Sequence, residues 1–233
     1  MLVRGFPAQA FDTNCWVVAP AAGADCVVID PGIGVEDELD AVLREHDLRP
    51  VAVLLTHGHL DHTFSVTPVC GAKGIPAWIH PGDRDLLRDP MLGLGAGSAQ
   101  LFGGRLEWTE PSDVALLDPT VPLELAGLVF TTGFAPGHTP GSVTFRLPAG
   151  DSEGAVGTPV MFAGDLLFRG SIGRTDLPGG SWEQMQHSLA RTLELPDDTV
   201  VHCGHGPSTT IGGERAVNPF LQDLPAAPPT WGL

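Results

Sequence analysis

The chain has 233 residues, 42% of them hydrophobic, and a mean hydropathy of +0.12. This is neither a disordered nor a fibrous composition, and the length suits one large domain or two small ones. Twelve basic residues against 28 acidic ones give a formal charge of −16. Such a field repels phosphate backbones and anionic lipid, which argues against nucleic acid and acidic membranes as partners.

No apolar run approaches the roughly 20 residues of a membrane span. The start, Met1-Leu2-Val3-Arg4-Gly5, does not read as a secretory signal. Cys15, Cys26, Cys70 and Cys203 have no C-x-x-C spacing. Together these features lead us to expect a cytoplasmic protein with reduced thiols.

In chain order, Asn14–Val18 and Cys26–Ile29 are expected as neighbouring strands, the second closed by Asp30-Pro31-Gly32. Val35–Leu48 spaces Val35, Leu39, Val42 and Leu43 as a helix does. Val51–Leu55 is a continuous apolar strand, expected to be buried on both faces. A helix is expected over Thr63–Gly71, a strand over Ala77–Ile79 and a short helix over Asp83–Arg88. Asp89–Gly104 reads as a long glycine-rich loop or lid.

Strands are then expected at Pro122–Leu125 and Leu128–Thr132, turning at Ala126-Gly127, and at Val143–Leu147 and Val160–Ala163. Ala135–Ser142 and Gly164–Ser181 read as loops. Trp182–Leu193 is an amphipathic helix with Met185, Leu189 and Leu193 on its apolar stripe. Thr199–His202 is a last strand, and Thr210–Leu221 carries one more short helix. This order predicts a layered α/β domain over residues 1–224, with 225–233 a loose tail. Polar residues gather just after strand ends, where ligands bind in open α/β sheets.

One such strand end is dense in metal-binding groups. After Val51–Leu55 comes Thr56-His57-Gly58-His59-Leu60-Asp61-His62, four potential ligands within six residues. Imidazole nitrogens and carboxylate oxygens both bind borderline divalent metals. The small Gly58 lets the loop turn tightly, so His57 and His59 can point at one centre and Asp61 and His62 at a second. Three later residues sit in matching places. His138 lies in Pro136-Gly137-His138-Thr139-Pro140-Gly141, Asp165 follows Gly164, and His205 lies in Gly204-His205-Gly206. Each also has an ordinary reading as a turn or loop residue. Their recurrence at strand ends beside glycine completes two coordination spheres.

The order T-H-x-H-x-D-H, P-G-H-T-x-G, G-D, G-H-G resembles the metallo-β-lactamase-fold hydrolases, and within them the glyoxalase II (hydroxyacylglutathione hydrolase) group. Gly173-Arg174-Thr175-Asp176 is similar to a stretch of that group as well. The resemblance implies an αββα sandwich, two face-to-face sheets with helices outside. It implies one metal on His57, His59 and His138, a second on Asp61, His62 and His205, and Asp165 bridging both. Zinc is the expected pair of ions, with iron or manganese as other fits.

The chain has no phosphate-binding P-loop, and beside so dense a set of metal-binding groups water is the expected nucleophile. The resemblance implies a hydroxide shared by two metals attacking a carbonyl, with Asp61 and Asp165 as the catalytic carboxylates. A thioester such as S-lactoylglutathione or a related 2-hydroxyacyl thioester suits this site, because a thiolate leaves with little protonation. Arg174 is a candidate substrate contact, with a structural pair to Asp176 as its other reading.

The glutathione-gripping helical extension of that group has no counterpart after Phe220, so a different or broader thiol half is expected. An aspartate where two-zinc β-lactamases usually carry cysteine argues against a lactam. The competing reading is a persulfide dioxygenase with one iron on His57, His138 and Asp165. A lactonase-like hydrolase of the same fold is a further alternative. Cys203 is expected as a small buried apolar residue, His202 as the end of a strand, and His46, His80 and His187 without a chemical role.

Overall fold

In the computed structural model, which describes residues 1–95, 108–149 and 158–225, the apolar runs of the sequence become the central strands of two sheets. The first sheet has six strands in spatial order: β1 (Leu2–Pro7), β2 (Asn14–Ala19), β3 (Asp25–Ile29), β4 (Arg49–Leu54), β5 (Ala77–Ile79) and β6 (Val114–Leu116). β1 to β3 pair antiparallel and β3 to β6 parallel. The second sheet runs β14 (Thr209–Thr210), β13 (Val200–Cys203), β10 (Val160–Gly164), β9 (Val143–Leu147), β8 (Leu128–Phe134) and β7 (Leu123–Leu125). It is antiparallel except where β10 meets β13.

Side chains alternate between the two faces of a strand, and here that alternation sorts them into layers. Val18, Val27, Ile29 and Leu54 of the first sheet meet Phe130, Phe145 and Phe162 of the second in one buried cluster between the sheets. Their neighbours Val17, Val28 and Val53 face the other way, against Leu39, Val42 and Leu43 of α1 (Glu36–Glu45) and Val66 and Val69 of α3 (Val66–Lys73). On the far side, Met161, Ala163 and Val201 pack with Met185 and Leu189 of α5 (Trp182–Thr192) and Ile211 of α6 (Ile211–Val217). Three buried layers between four structural layers make the αββα sandwich. Strands covered on both faces need apolar residues at every position, which is why Val51–Leu55 shows no alternation.

Several expected elements change in detail. The helix expected at Thr63–Gly71 is two pieces, α2 (Leu60–Thr63) and α3, broken at Ser65, whose N–H bonds to the Pro31 carbonyl. The second piece stops at Gly74, in the left-handed conformation (φ 65°) of a glycine C-cap. The loop expected at Gly164–Ser181 contains a hairpin, β11 (Leu167–Phe168) with β12 (Ser171–Ile172), too short to leave a periodic signal. β1 and β6 also escape pattern reading, for they are edge strands and β6 has only three residues.

Beyond the short helix α4 (Arg84–Arg88), Pro90–Gly93 forms a 3-10 turn. Residues 96–104 of the expected lid lie outside the described residues, as does the expected tail after Pro225. No helix among the described residues is long and apolar enough to cross a membrane.

Candidate metal centre

Four strand ends from both sheets converge on one place. β4 delivers His57, His59 and, through α2, Asp61 and His62. β8 leads to His138, β10 to Asp165 and β13 to His205. The structure brings all seven residues together. His57, His59 and His138 form one group, Asp61, His62 and His205 another, and within each a ligand atom of every residue lies within 4.8 Å of the others. Asp165 stands between the two groups. Its Oδ1 is 3.2 Å from His62 Nε2, and its Oδ2 is 3.5 Å from both His138 Nε2 and His205 Nε2.

The donor set fits divalent cations. His57 Nε2, His59 Nε2, His62 Nε2 and Asp165 Oδ1 are buried with no aligned hydrogen-bond partner. An orphaned buried polar atom is costly, and the ligand atoms of His57, His62 and Asp165 lie within 4.8 Å of one another, where a cation satisfies them together. His59 Nδ1 and His138 Nε2 approach to 2.8 Å, a contact that needs a proton or a cation between them.

The two groups differ electrically. Burial, and then the surrounding imidazoles, push His57 well below the ordinary histidine range. Burial and His138 push His59 down to about 3. Both are therefore neutral at pH 7, the ligand form. Burial opposes charge on His62 too, but Asp165, Asp61 and Asp30 overcome it and raise this histidine well above its usual value. His205 is raised in the same way by Asp61 and Asp165, against burial. The carboxyls of Asp165 and Asp61 are lowered despite burial, chiefly by His62.

Several residues that hold the candidate ligands in place were not singled out in the sequence. Asp30, read there only as a strand end, is buried and accepts from His62 Nδ1 at 2.9 Å. It also accepts from Thr56 N at 2.8 Å and Thr56 Oγ1 at 2.6 Å. A carboxylate directly after a buried strand, the same pattern as Asp165, was the available signal. Thr13 Oγ1 donates to Asp61 Oδ2 at 3.1 Å. Asn14 Nδ2 donates to the carbonyls of Cys203 and Gly206, fixing the loop that carries His205. His205 Nδ1 bonds to the Phe11 carbonyl at 3.0 Å, with Phe11 and Asp12 both at positive φ (64° and 53°). Non-glycine residues adopt that conformation only where the surroundings enforce it.

Residues 8–205 match the metallo-beta-lactamase superfamily, a stretch that spans every member of the centre. The chain belongs to that superfamily. An uncharacterised protein of Mycobacterium tuberculosis is 45% identical over 227 residues, 96% of this chain and 99% of that one. The hydroxyacylglutathione hydrolase GloC of Haemophilus influenzae is 33% identical over 232 residues, 95% of this chain and 98% of that one. Among solved structures, the BLEG-1 B3 metallo-beta-lactamase superposes with a TM-score of 0.82 at 37% identity, covering 95% of this chain and all of that one.

The fold binds divalent metals, and here the centre opens onto a cleft. Its volume is about 240 Å³, and Phe11, Leu60, Leu94 and Leu177 form apolar walls above His59, His138, Asp165 and His205. Arg174 also lines it. Its guanidinium forks onto Asp176 at 2.7 and 2.6 Å, while its backbone carbonyl accepts from His138 Nδ1 at 2.7 Å. Arg174 thus has a place on the cleft, as a substrate contact needs, and a fork onto Asp176, as a structural pair needs; its backbone separately holds His138. The remaining histidines lie apart from the centre. His202 stacks on Phe162 and contacts Ser208, and His80 stacks on Phe134. Cys203 is fully buried.

Proposed function

We propose that this chain is a metal-dependent hydrolase that cleaves a thioester, S-lactoylglutathione or a related 2-hydroxyacyl thioester. The observation that carries the reading is the position of Asp165, whose two oxygens reach histidines of both groups. We assign one ion to His57, His59 and His138 and a second to Asp61, His62 and His205, with Asp165 serving both. Zinc is our assignment, and iron and manganese accept the same donors. When bound, two such ions lower the pKa of water from about 15.7 towards 7 and polarise a scissile carbonyl.

The chain's own residues supply the rest. Asp61, held by Thr13 and partly open to the cleft, accepts a hydrogen bond from water and fixes its direction of approach. Phe11, Leu60, Leu94 and Leu177 seat the apolar parts of the substrate and exclude water from the carbonyl. Arg174, already shared with Asp176, gives a carboxylate of the substrate a weak hold. The thiolate leaves without a dedicated acid, which suits a site whose imidazoles are committed to ions. Similarity to GloC along nearly the whole of both chains supports a thioester. Likeness to a B3 metallo-beta-lactamase favours a second reading, lactam hydrolysis.

Metal analysis with a substrate panel tests this. The panel holds lactoyl esters of glutathione and of several other thiols, together with a β-lactam. Two ions per chain and turnover of the lactoyl thioesters are expected. With so weak a hold on the thiol half, changing it should raise KM more than it lowers kcat. Hydrolysis of the lactam alone would replace the thioester reading. A single firmly held iron, with Asp61, His62 and His205 empty, would replace hydrolysis by persulfide oxidation.

A further inference from the structure

A carboxylate outside the ligand set joins the two loops that carry the first group. Asp83 sits in the turn between β5 and α4, and its side chain is fully buried. Its Oδ2 accepts from Gly58 N at 2.8 Å and from Thr139 Oγ1 at 2.6 Å, and its Oδ1 accepts from Gly141 N at 2.6 Å. Gly58 separates His57 from His59 after a strand of the first sheet. Thr139 and Gly141 follow His138 after a strand of the second. One side chain thus bridges both loops across the sandwich.

The backbone has been cut to fit it. A Cβ on Gly141 would lie 2.4 Å from Asp83 N, and one on Gly58 would lie 2.6 Å from Leu86 Cβ and 3.1 Å from the Asp83 carbonyl. Gly58 has no positive φ, so its role is close approach rather than the tight turn expected from its size. Burial raises the Asp83 carboxyl, and its three donors and nearby His138 work against that rise. A buried carboxylate without a cationic partner is retained only where its acceptor bonds are used.

We propose that Asp83 is a positioning residue that sets the distance between the His57–His59 loop and the His138 loop, and so governs occupancy of the first metal group alone. It touches neither ion nor substrate and acts through Gly58, Thr139 and Gly141. The inference rests on the two-ion reading above. Stepwise zinc titration against a competing chelator, with anomalous scattering to locate each ion, tests both separately. Asp83→Asn keeps the volume and replaces one acceptor oxygen with a donor. It should weaken binding at His57, His59 and His138 by roughly 10- to 100-fold, the range for groups that orient metal ligands. Binding at Asp61, His62 and His205 should stay within a few-fold of the parent chain.

Thr139→Val removes one of the three bonds and should give a smaller loss at the same group, which keeps the idea testable if Asp83→Asn folds poorly. Glu214→Gln is the control for a buried carboxylate elsewhere. Glu214 also accepts three hydrogen bonds, from Gly170 N, Thr209 Oγ1 and Asn218 Nδ2, but links no histidine loop. It should lower the melting temperature and spare the first group. If the parent chain binds two ions and Asp83→Asn binds both unchanged, or loses both in step with its melting temperature, Asp83 has no positioning role. If the parent chain binds fewer than two ions, the two-ion reading itself falls.

Discussion

The two halves of the centre are built differently. The first group is three buried imidazoles, of which His57 and His59 are held at low pKa, with Asp83 fastening their loops. The second mixes a carboxylate with two histidines of raised pKa, and both Asp61 and His205 are about a quarter exposed. One half is dry and ready as a ligand set. The other is wetter, and its carboxylates favour the protonated form of its two histidines; members of both groups line the cleft. Fixed, neutral ligands suit retention of an ion, and exposed, charged ones suit exchange with water and substrate.

The largest expected effect comes from removing what the halves share. Asp165→Ala should lose both ions, whereas Asp61→Ala should lose only the second, as read by metal content after dialysis. Equal occupancy in the two variants would show that Asp165 does not serve both groups.

A smaller effect separates the halves directly. Asp30→Asn replaces the acceptor on His62 Nδ1 and should weaken the second ion about 10- to 100-fold. Thr56 also leans on Asp30 and contacts His57 at 3.1 Å, so some loss at the first ion is expected, but less. A greater loss at the first ion would reverse the assignment of Asp30.

Acid should tell the halves apart without mutation. A histidine of raised pKa must release its proton for a metal to bind, so affinity at the second group falls as pH drops through and below neutrality. His59, lowered to about 3, stays neutral over that range, and so does His57, which burial and the neighbouring imidazoles also lower well below the ordinary range. Metal content followed from pH 7.5 to pH 5 should therefore show the second ion leaving first. Simultaneous release would mean that the electrostatic contrast does not survive metal loading.

The smallest effect lies at the rim. Arg174→Ala removes an exposed pair with Asp176 and should leave the melting temperature and metal content unchanged. Steady-state kinetics should show KM rising a few-fold for substrates that carry a carboxylate, with kcat nearly constant. A large fall in kcat would place Arg174 closer to the reacting carbonyl than its pairing implies.

Much of the centre was legible in the chain itself. The seven candidate ligands follow strand ends, and their residue types announce metal chemistry wherever they lie in the sequence. Buried strands were legible too, since a strand covered on both faces is an unbroken apolar run, as in Val51–Leu55. Edge strands β1 and β6 and the hairpin β11–β12 were not, because short or half-exposed segments have no such constraint.

Sequence alone determined which residues could bind metal and that the domain alternates strands and helices, because donor chemistry and side-chain periodicity are local properties. The pairing of the sheets and the grouping of ligands from positions 57 to 205 were decided by the tertiary structure, for these depend on how distant strand ends meet. Asp83 shows the reason most plainly. A lone aspartate after a short strand reads as the start of a helix, and its significance exists only where Gly58, Thr139 and Gly141 are folded against it.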